Sequence, residues 1–263
     1  MKLTRLIALT VPLAVGCAFA VPGAASAGLL AQWQPGPDTT WQVQLSGRID
    51  TSVAADAFDI DYETPQSVVD ALHAKGSKVV CYLSAGSWED YRPDADQFPE
   101  SVLGKKLDGW PHERWLDIRQ IDVLAPIMEA RLDICVDKGF DAADFDNVDG
   151  YQNRTGFKLT GADQLAYNRY LAQAAHDRGL AAGLKNDLGQ VTALEPSFEF
   201  AVNEECADYR ECQRLTPFTD ARKAIVMLEY KKPLSGFCDD AAKLSAYGMK
   251  KKLSLNAWRQ PCP

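Results

Sequence analysis

The stretch FDAADFDNVDGY, residues 140–151, organises the interpretation of the whole chain. Four acids lie within it and repel one another, so folding alone gives little reason to collect them. The apolar residues between them predict a buried strand, on which Asp144 and Asp146 point to the same face. Residues 147–150 then form a loop, which leaves a carboxylate pair at the strand's C-terminal tip. A solvated acidic turn is the alternative; a calcium loop would need Gly at its sixth position and Glu at its twelfth.

The N-terminus has the features of an export signal. Basic residues precede a short apolar run, and the small residues 25–27 suit a signal peptidase. We therefore predict a signal peptide over residues 1–27, a mature chain over residues 28–263 and a secreted, extracellular protein. The run is short for a membrane span. A lipoprotein anchored at Cys17 is an alternative that lacks the Leu usual before such a cysteine.

The mature chain is acidic. Once the two basic residues of the signal are removed, 26 Lys and Arg stand against 36 Asp and Glu, a net charge of −10. This charge disfavours nucleic-acid binding and favours a neutral or cationic ligand. No stretch after the signal is apolar enough to span a bilayer, so no membrane association is expected. The length suits one domain with a full core, and we expect a monomer.

Six cysteines remain after the signal. An even number in an exported chain favours disulfides, and six cysteines allow 15 connectivities among which the sequence does not choose. Local pairing would join Cys81 with Cys135, Cys206 with Cys212, and Cys238 with Cys262. A metal site is disfavoured because the chain has no CxxC and its three histidines are scattered. No metal and no cofactor are expected.

Eight short apolar segments follow one another, separated mainly by helices or long connections. The predicted strands are Trp41–Leu45, Ala57–Asp61, Lys78–Leu83, the strand within 140–151, Leu180–Leu184, Phe198–Val202, Ala224–Leu228 and Leu253–Leu255. The predicted helices are Thr64–Ala74, Ile121–Lys138, Asp163–Arg178, Phe218–Lys223 and Asp239–Tyr247. This order predicts an α/β fold, a single (β/α)8 TIM barrel over residues 28–263. An open doubly wound sheet is the alternative, but no glycine-rich loop follows the first strand.

Polar residues follow most of these strands. They are Asp61, Ser84, Asp146, Lys185, Glu204, Glu229 and Asn256. In a barrel the strand ends converge on one face, where such enzymes place their chemistry. Residues Ser87–Arg119 are expected to form a long irregular loop. Its aromatic residues, Trp88 among them, would serve as platforms for sugar rings or as a small core beneath the loop.

Asp146 and Glu204 are the predicted catalytic pair. Glycosidic cleavage needs one protonated and one ionised carboxyl group facing a common centre, and these two acids end different strands. Asp144 would raise the proton affinity of Asp146, and Lys185 could offset this effect. Glu229 is an alternative second catalytic carboxylate, and Glu205 is a rival for the position of Glu204. No GxSxG motif supports a serine hydrolase.

Several long motifs resemble the endo-α-1,4-polygalactosaminidase family, glycoside hydrolase family 114. The motifs are YLSAGSWEDYRPD, GWPHERWLDIR, GFDAADFDNVDGY, GLKND, NEEC and LEY. The resemblance implies a barrel hydrolase that cuts α-1,4-linked galactosamine polymers, with Asp146 and Glu204 as catalytic candidates. The family often has NEQC where this chain has NEEC, which supports Glu204 over Glu205.

The remaining candidates are substrate-binding residues. They are Asp61, Tyr82, Ser84, Trp88, Asp144, Asn147, Asp149, Lys185, Asn186, Glu229 and Tyr230. A cleft lined by so many acids would attract the cationic units of a deacetylated galactosamine polysaccharide, the expected partner. The alternatives are a sugar-binding barrel without catalysis, a glycosidase for another polysaccharide, and a secreted peptidase, which would lack both a nucleophile and a metal site.

Overall fold

The computed structural model describes residues 32–263, so the predicted signal peptide and Cys17 lie outside the described residues. The strands are β1 Trp41–Gln44, β2 Ala57–Asp61, β3 Lys78–Ser84, β4 Ser87–Glu89, β5 Leu103–Leu107, β6 Trp110–Leu116, β7 Ala142–Asp146, β8 Ala181–Lys185, β9 Phe200–Glu204, β10 Ala224–Glu229, β11 Tyr247–Lys251 and β12 Arg259–Pro261. The α-helices are α1 Gln66–His73, α2 Ile121–Asp137, α3 Gly161–His176, α4 Val191–Leu194, α5 Cys206–Tyr209, α6 Thr216–Asp220 and α7 Cys238–Lys243. Within residues 32–263, no helix has the length and apolar character needed to cross a membrane.

Eight parallel strands form the barrel. Their order is β1-β2-β3-β7-β8-β9-β10-β11, and β12 pairs antiparallel with β11. The C-terminal segment then reaches β1, because Leu45 N donates to Leu255 O at 2.9 Å and Gln42 Nε2 donates to Ala257 O at 3.0 Å. The sheet thereby nearly closes on itself. The predicted (β/α)8 barrel is confirmed.

Two apolar cores lie on the two faces of the barrel sheet. Val80, Ala142 and Phe200 belong to the core inside the barrel, whereas Ala143 and Phe145 pack outward against the helices. Successive residues of each strand alternate between these cores, as the two-residue period requires. The same alternation places polar side chains at the strand ends either inside the barrel or under the helices.

The helices on the outside are unequal in length. α1, α2 and α3 have 8, 17 and 16 residues, and α3 begins with a capping box between Thr160 and Asp163. These three helices lie within a few residues of their predicted bounds. The helix predicted at Phe218–Lys223 instead begins earlier, as α6, and the connections after β8 and β9 contain only short helices.

The predicted eighth strand was wrong. The eighth parallel strand is β11, and residues 253–255 form a turn. Lys251 lies at the end of β11, where it is 1% exposed and its Nζ donates to Asn256 O at 2.7 Å. The preceding helix α7 is therefore shorter than predicted and ends at Lys243.

The stretch from Ser87 to Arg119 is not an irregular loop. It contains β4, β5 and β6, which form an antiparallel sheet in the order β4-β6-β5. We call these three strands the cap sheet. The strands are short and the pairing of β5 with β6 contains register shifts, so the sequence shows only a weak alternation of apolar and polar residues here. The three predicted disulfides, Cys81–Cys135, Cys206–Cys212 and Cys238–Cys262, are confirmed.

Candidate active site

Asp146 lies at the end of β7, on the inner face of the barrel. Its Oδ1 accepts hydrogen bonds from Lys185 Nζ and from the backbone N of Asn147, both at 2.8 Å. Its Oδ2 accepts a hydrogen bond from the Tyr82 hydroxyl at 2.5 Å. Tyr82 and Lys185 stand on β3 and β8, the two strands that flank β7. Three adjacent strands therefore fix the position of this carboxylate.

Lys185 joins Asp146 to the second candidate, Glu204. Its Nζ lies 3.3 Å from Glu204 Oε2, and the Tyr230 hydroxyl donates to Glu204 Oε1. Asn186 Oδ1 accepts a hydrogen bond from the backbone N of Glu204 at 2.9 Å, which fixes the end of β9. The floor of the site thus holds two carboxylates bridged by one ammonium group.

The charges on this floor stabilise one another. Burial raises the pKa of Asp146, but the Lys185 charge and the hydrogen bonds from Lys185, Tyr82 and Asn147 outweigh burial and lower it below its usual value. Burial lowers the pKa of Lys185, but Asp146 and Glu204 outweigh that effect and raise it. Burial, and then the Glu204 charge, raises the pKa of Tyr230. Asp146 is therefore an anion at neutral pH, while Lys185 keeps its proton.

Two further acids lie beneath Asp146 inside the barrel. Asp144 and Asp59 are each 1% exposed. Burial raises the pKa of Asp144 to about 7, and burial together with the Asp144 charge raises the pKa of Asp59. The raised pKa shifts Asp59 toward its neutral form. Asp146 repels Asp144 as expected and so raises its pKa, but the opposite effect of the Lys185 charge on Asp144 is larger.

The two candidate carboxylates open into a cavity of about 600 Å³ at the C-terminal ends of the barrel strands. Its acidic lining residues are Asp61, Glu89, Asp108, Glu113, Asp146, Asp149, Glu204 and Glu205, and its basic ones are Arg92, Lys106 and Arg154. This excess of acids favours a cationic ligand. Within residues 32–263, no group of three or more His, Cys, Asp or Glu side chains is arranged to hold a metal ion.

Comparison with known proteins identifies the family. The sequence profile of glycoside-hydrolase family GH114 matches residues 23–263. The chain belongs to family GH114. It is thus a glycoside hydrolase, and the family resemblance of its motifs is confirmed.

Solved structures agree with this GH114 assignment. The crystal structure of Aspergillus fumigatus Ega3 in complex with galactosamine matches with a TM-score of 0.84 and 39% identity, over 88% of this chain and 98% of that chain. The glycoside hydrolase domain of PelA from Pseudomonas aeruginosa matches with a TM-score of 0.65 and 15% identity, over 84% of this chain and 97% of that one. The PelA match shows a shared fold alone. A comparison with curated protein sequences found no match.

Six predicted substrate-binding residues of the GH114 chain line the cavity: Asp61, Tyr82, Asn147, Asp149, Asn186 and Tyr230. Lys185, a seventh, is 4% exposed and lies behind the two carboxylates. Asn147 and Asn186 have φ values of 62° and 52°, a left-handed conformation that Asn tolerates. Each asparagine turns the chain sharply just after a barrel strand, β7 or β8, ends. The roles of these residues toward a substrate stay predictions.

Apart from Lys185, four predicted substrate-binding residues lie outside the cavity lining: Ser84, Trp88, Asp144 and Glu229. Ser84 is buried, and its Oγ accepts a hydrogen bond from Asn147 Nδ2 at 3.0 Å. Trp88 packs against the outer core, and its Nε1 donates to Ala95 O at 2.9 Å. Asp144 lies one layer below the floor. These side chains lie behind the cavity surface, and their roles toward a substrate stay predictions.

Glu229, the alternative catalytic carboxylate, was predicted to face the site, and this prediction was wrong. It lies on the outer face of β10, because a strand's side chains alternate and Leu228 occupies the inner face. Its Oε1 accepts a hydrogen bond from Ala207 N at 2.7 Å, in the first turn of α5. The rival Glu205 lines the rim and pairs with Lys231 at 3.0 Å.

The cap sheet and its adjoining turns supply charged lining residues that sequence reasoning missed. They are Glu89, Arg92, Lys106, Asp108 and Glu113. Trp110 and Trp115 on β6 also line the cavity and belong to the aromatic residues expected on this stretch. The alternation of WPHERWL, residues 110–116, was the signal that could have revealed this strand.

Proposed function

We propose that the chain is a secreted, endo-acting glycoside hydrolase that cleaves α-1,4-linked galactosamine polymers. The observation that carries the proposal is the Asp146–Lys185–Glu204 arrangement on the floor of an acid-lined cavity. Galactosamine is the ligand in the Ega3 structure, which is 39% identical to this chain. A galactosamine unit without its acetyl group is a cation near neutral pH, and acids outnumber bases in the cavity lining.

Asp146 acts as the nucleophile and Glu204 as the acid and base. Asp146 accepts three hydrogen bonds and keeps its charge, whereas Glu204 lies farther from the shared ammonium group. Glu204 donates its proton to the glycosidic oxygen while Asp146 attacks the anomeric carbon, which breaks the carbon–oxygen bond. Glu204 then takes a proton from water, and the water oxygen displaces Asp146 from that carbon. Lys185 stabilises the Asp146 anion before attack and after its release.

Mass spectrometry of oligosaccharides released from a partly deacetylated α-1,4-galactosaminan tests this function. The wild-type protein should release a ladder of oligosaccharides, and Asp146→Asn and Glu204→Gln should each lose about a hundredfold or more of the rate. Asp137→Asn is a matched control, because Asp137 is exposed at the end of α2 and loses the same charge. No release from this or other polysaccharides, with binding retained, would instead support a sugar-binding barrel.

Export is part of the proposal. The three disulfides are of a kind that forms and persists in oxidising compartments. N-terminal sequencing of protein from the culture medium should begin at Gly28. Recovery only from the cytoplasm with Met1 intact would contradict secretion.

A further inference from the structure

The cavity acids differ in how their charges are balanced. Five of the eight form ion pairs with this chain's own cations: Asp61 and Glu89 with Arg92, Asp146 and Glu204 with Lys185, and Glu205 with Lys231. In the part of the chain that the structure describes, Asp108, Glu113 and Asp149 have no ion-pair partner. A cationic ligand would therefore find three carboxyl groups available to it.

Glu113 is the most firmly held of these three acids. Its Oε2 accepts a hydrogen bond from Ser87 Oγ at 2.7 Å. Ser87 Oγ in turn lies 2.6 Å from Ser84 Oγ and accepts from Asn147 Nδ2 at 3.2 Å. Because Asn147 follows Asp146, this chain of hydrogen bonds fixes Glu113 relative to the nucleophile. Glu113 Oε1 accepts no hydrogen bond from residues 32–263, so one oxygen is left for a ligand.

The surroundings of Glu113 favour pairing with a cation. Burial raises the pKa of Glu113 to about 7, the charges of Glu89 and Asp146 add to this increase, and the Ser87 hydrogen bond and the Arg92 charge oppose it. Arg92 is already engaged by Asp61 and Glu89. Burial, and after it the charges of Asp146, Glu89 and Glu113, raises the pKa of the half-buried Tyr82. The neighbouring polar side chains on β6, His112 and Arg114, instead contact Asp90 and Glu100.

We propose that Glu113 is the specificity residue that receives the ammonium group of an unacetylated hexosamine bound beside Asp146. This inference rests on the proposed function and assigns the choice between amino and acetamido sugars to one side chain. An ammonium group can donate to Oε1 and neutralise a half-buried carboxylate, which is costly to leave unpaired. An acetamido group carries no charge and cannot neutralise it.

The test compares wild type with Glu113→Gln on two α-1,4-linked oligomers, one of galactosamine and one of N-acetylgalactosamine. The amide oxygen can still accept the Ser87 hydrogen bond, so only the charge is removed. KM for the galactosamine oligomer should rise about tenfold with kcat within about twofold, while KM for the acetylated oligomer stays constant or falls. Asp137→Asn should change neither KM. Lowering the pH below 7 should weaken galactosamine binding by wild type more than by Glu113→Gln, because Glu113 becomes protonated.

Calorimetric binding of both oligomers separates this inference from the proposed function. It is run in the Glu204→Gln background with and without Glu113→Gln, so that it does not depend on hydrolysis. Selective loss of galactosamine binding supports the assignment. Equal weakening for both oligomers, or none, overturns it even if wild type cleaves the polymer. If the Glu204→Gln protein binds neither oligomer, both the assignment and the proposed substrate are wrong.

Discussion

Lys185 is the residue on which the proposed chemistry most depends. It is a buried ammonium group that contacts Asp146 Oδ1 at 2.8 Å and Glu204 Oε2 at 3.3 Å. Without it, two half-buried carboxylates would face each other above Asp144, and like charges at this range raise each other's pKa. Lys185 therefore allows a lowered pKa at Asp146 within an acidic site.

Lys185→Met should move the acid limb of the pH profile of kcat/KM to higher pH. Removing the ammonium raises the pKa of Asp146, so a higher pH is needed to form the attacking anion, and the rate at neutral pH should fall about a hundredfold. The measurement is hydrolysis of the galactosamine oligomer between pH 4 and pH 9, with the exposed Lys243→Met as the control. An unchanged acid limb would show that Lys185 does not set the charge of Asp146.

The separation of the two carboxylates predicts retention of anomeric configuration. Asp146 Oδ1 and Glu204 Oε2 both contact Lys185 Nζ, so these two oxygens are no more than roughly 6 Å apart. This separation is nearer to that of the carboxyl groups in retaining enzymes than to that in most inverting enzymes. NMR of the first product should therefore show the α-anomer. With azide added, Glu204→Ala should yield an α-glycosyl azide and Asp146→Ala a β-glycosyl azide. A β-anomer as the initial wild-type product would contradict the nucleophile assignment.

The cap sheet is the element that converts a barrel end into a substrate site. It carries lining residues of the cavity on β6 and in the turn before it, and Trp110, the first residue of β6, is 51% exposed. Gly86 immediately precedes the cap sheet, and a Cβ added to it would lie 1.7 Å from Asn147 O. The backbone joining β3 to the cap sheet therefore approaches Asn147, the residue after the proposed nucleophile, too closely for any side chain.

Trp110→Ala should weaken the hydrolysis of long oligomers more than that of short ones. An exposed ring at the rim of a cavity can stack on a sugar face distant from the reacting bond, a contact that only longer chains make. We expect KM for a hexamer or longer chain to rise about fivefold to tenfold, with a change below about twofold for the shortest cleaved oligomer. Val123→Ala, at an exposed position on α2, is the control. Equal effects at every chain length would place Trp110 outside the binding path.

The acidity of the whole molecule bears on how it meets its substrate. The full chain has a net charge of −8, and the cavity acids concentrate that charge at one end of the barrel. Such a field attracts a polycation over several ångströms and weakens as salt shortens its range.

Raising NaCl from about 0.05 M to about 0.5 M should therefore slow hydrolysis of a deacetylated polymer more than that of a fully acetylated one. The reason is that the long-range attraction acts only on a charged chain. The measured quantity is kcat/KM at both salt concentrations, with sodium sulfate at matched ionic strength as a check for specific ion effects. Equal slowing of both polymers would remove electrostatic attraction from the proposal.

Most of the barrel could be predicted from the sequence because its strands are continuous local patterns. The strands ending at Asp146, Lys185 and Glu204 combine apolar runs with a polar tip, and parallel strands of a barrel bring those tips together. β11 was missed because the burial of Lys251 depends on Asn256 and on closure of the barrel, which no local pattern records.

The sequence by itself determined the barrel and the carboxylates proposed as the catalytic pair, since they follow from periodicity and from motifs at strand ends. The cysteine number predicted disulfides, but only the tertiary structure decided their pairing. Only the tertiary structure decided that Glu229 faces outward, that Lys185 bridges Asp146 and Glu204, and that Glu113 faces the cavity. The physical reason is that these features depend on register between strands distant in the chain. A side chain's direction, its burial and the charges around it are set by that register.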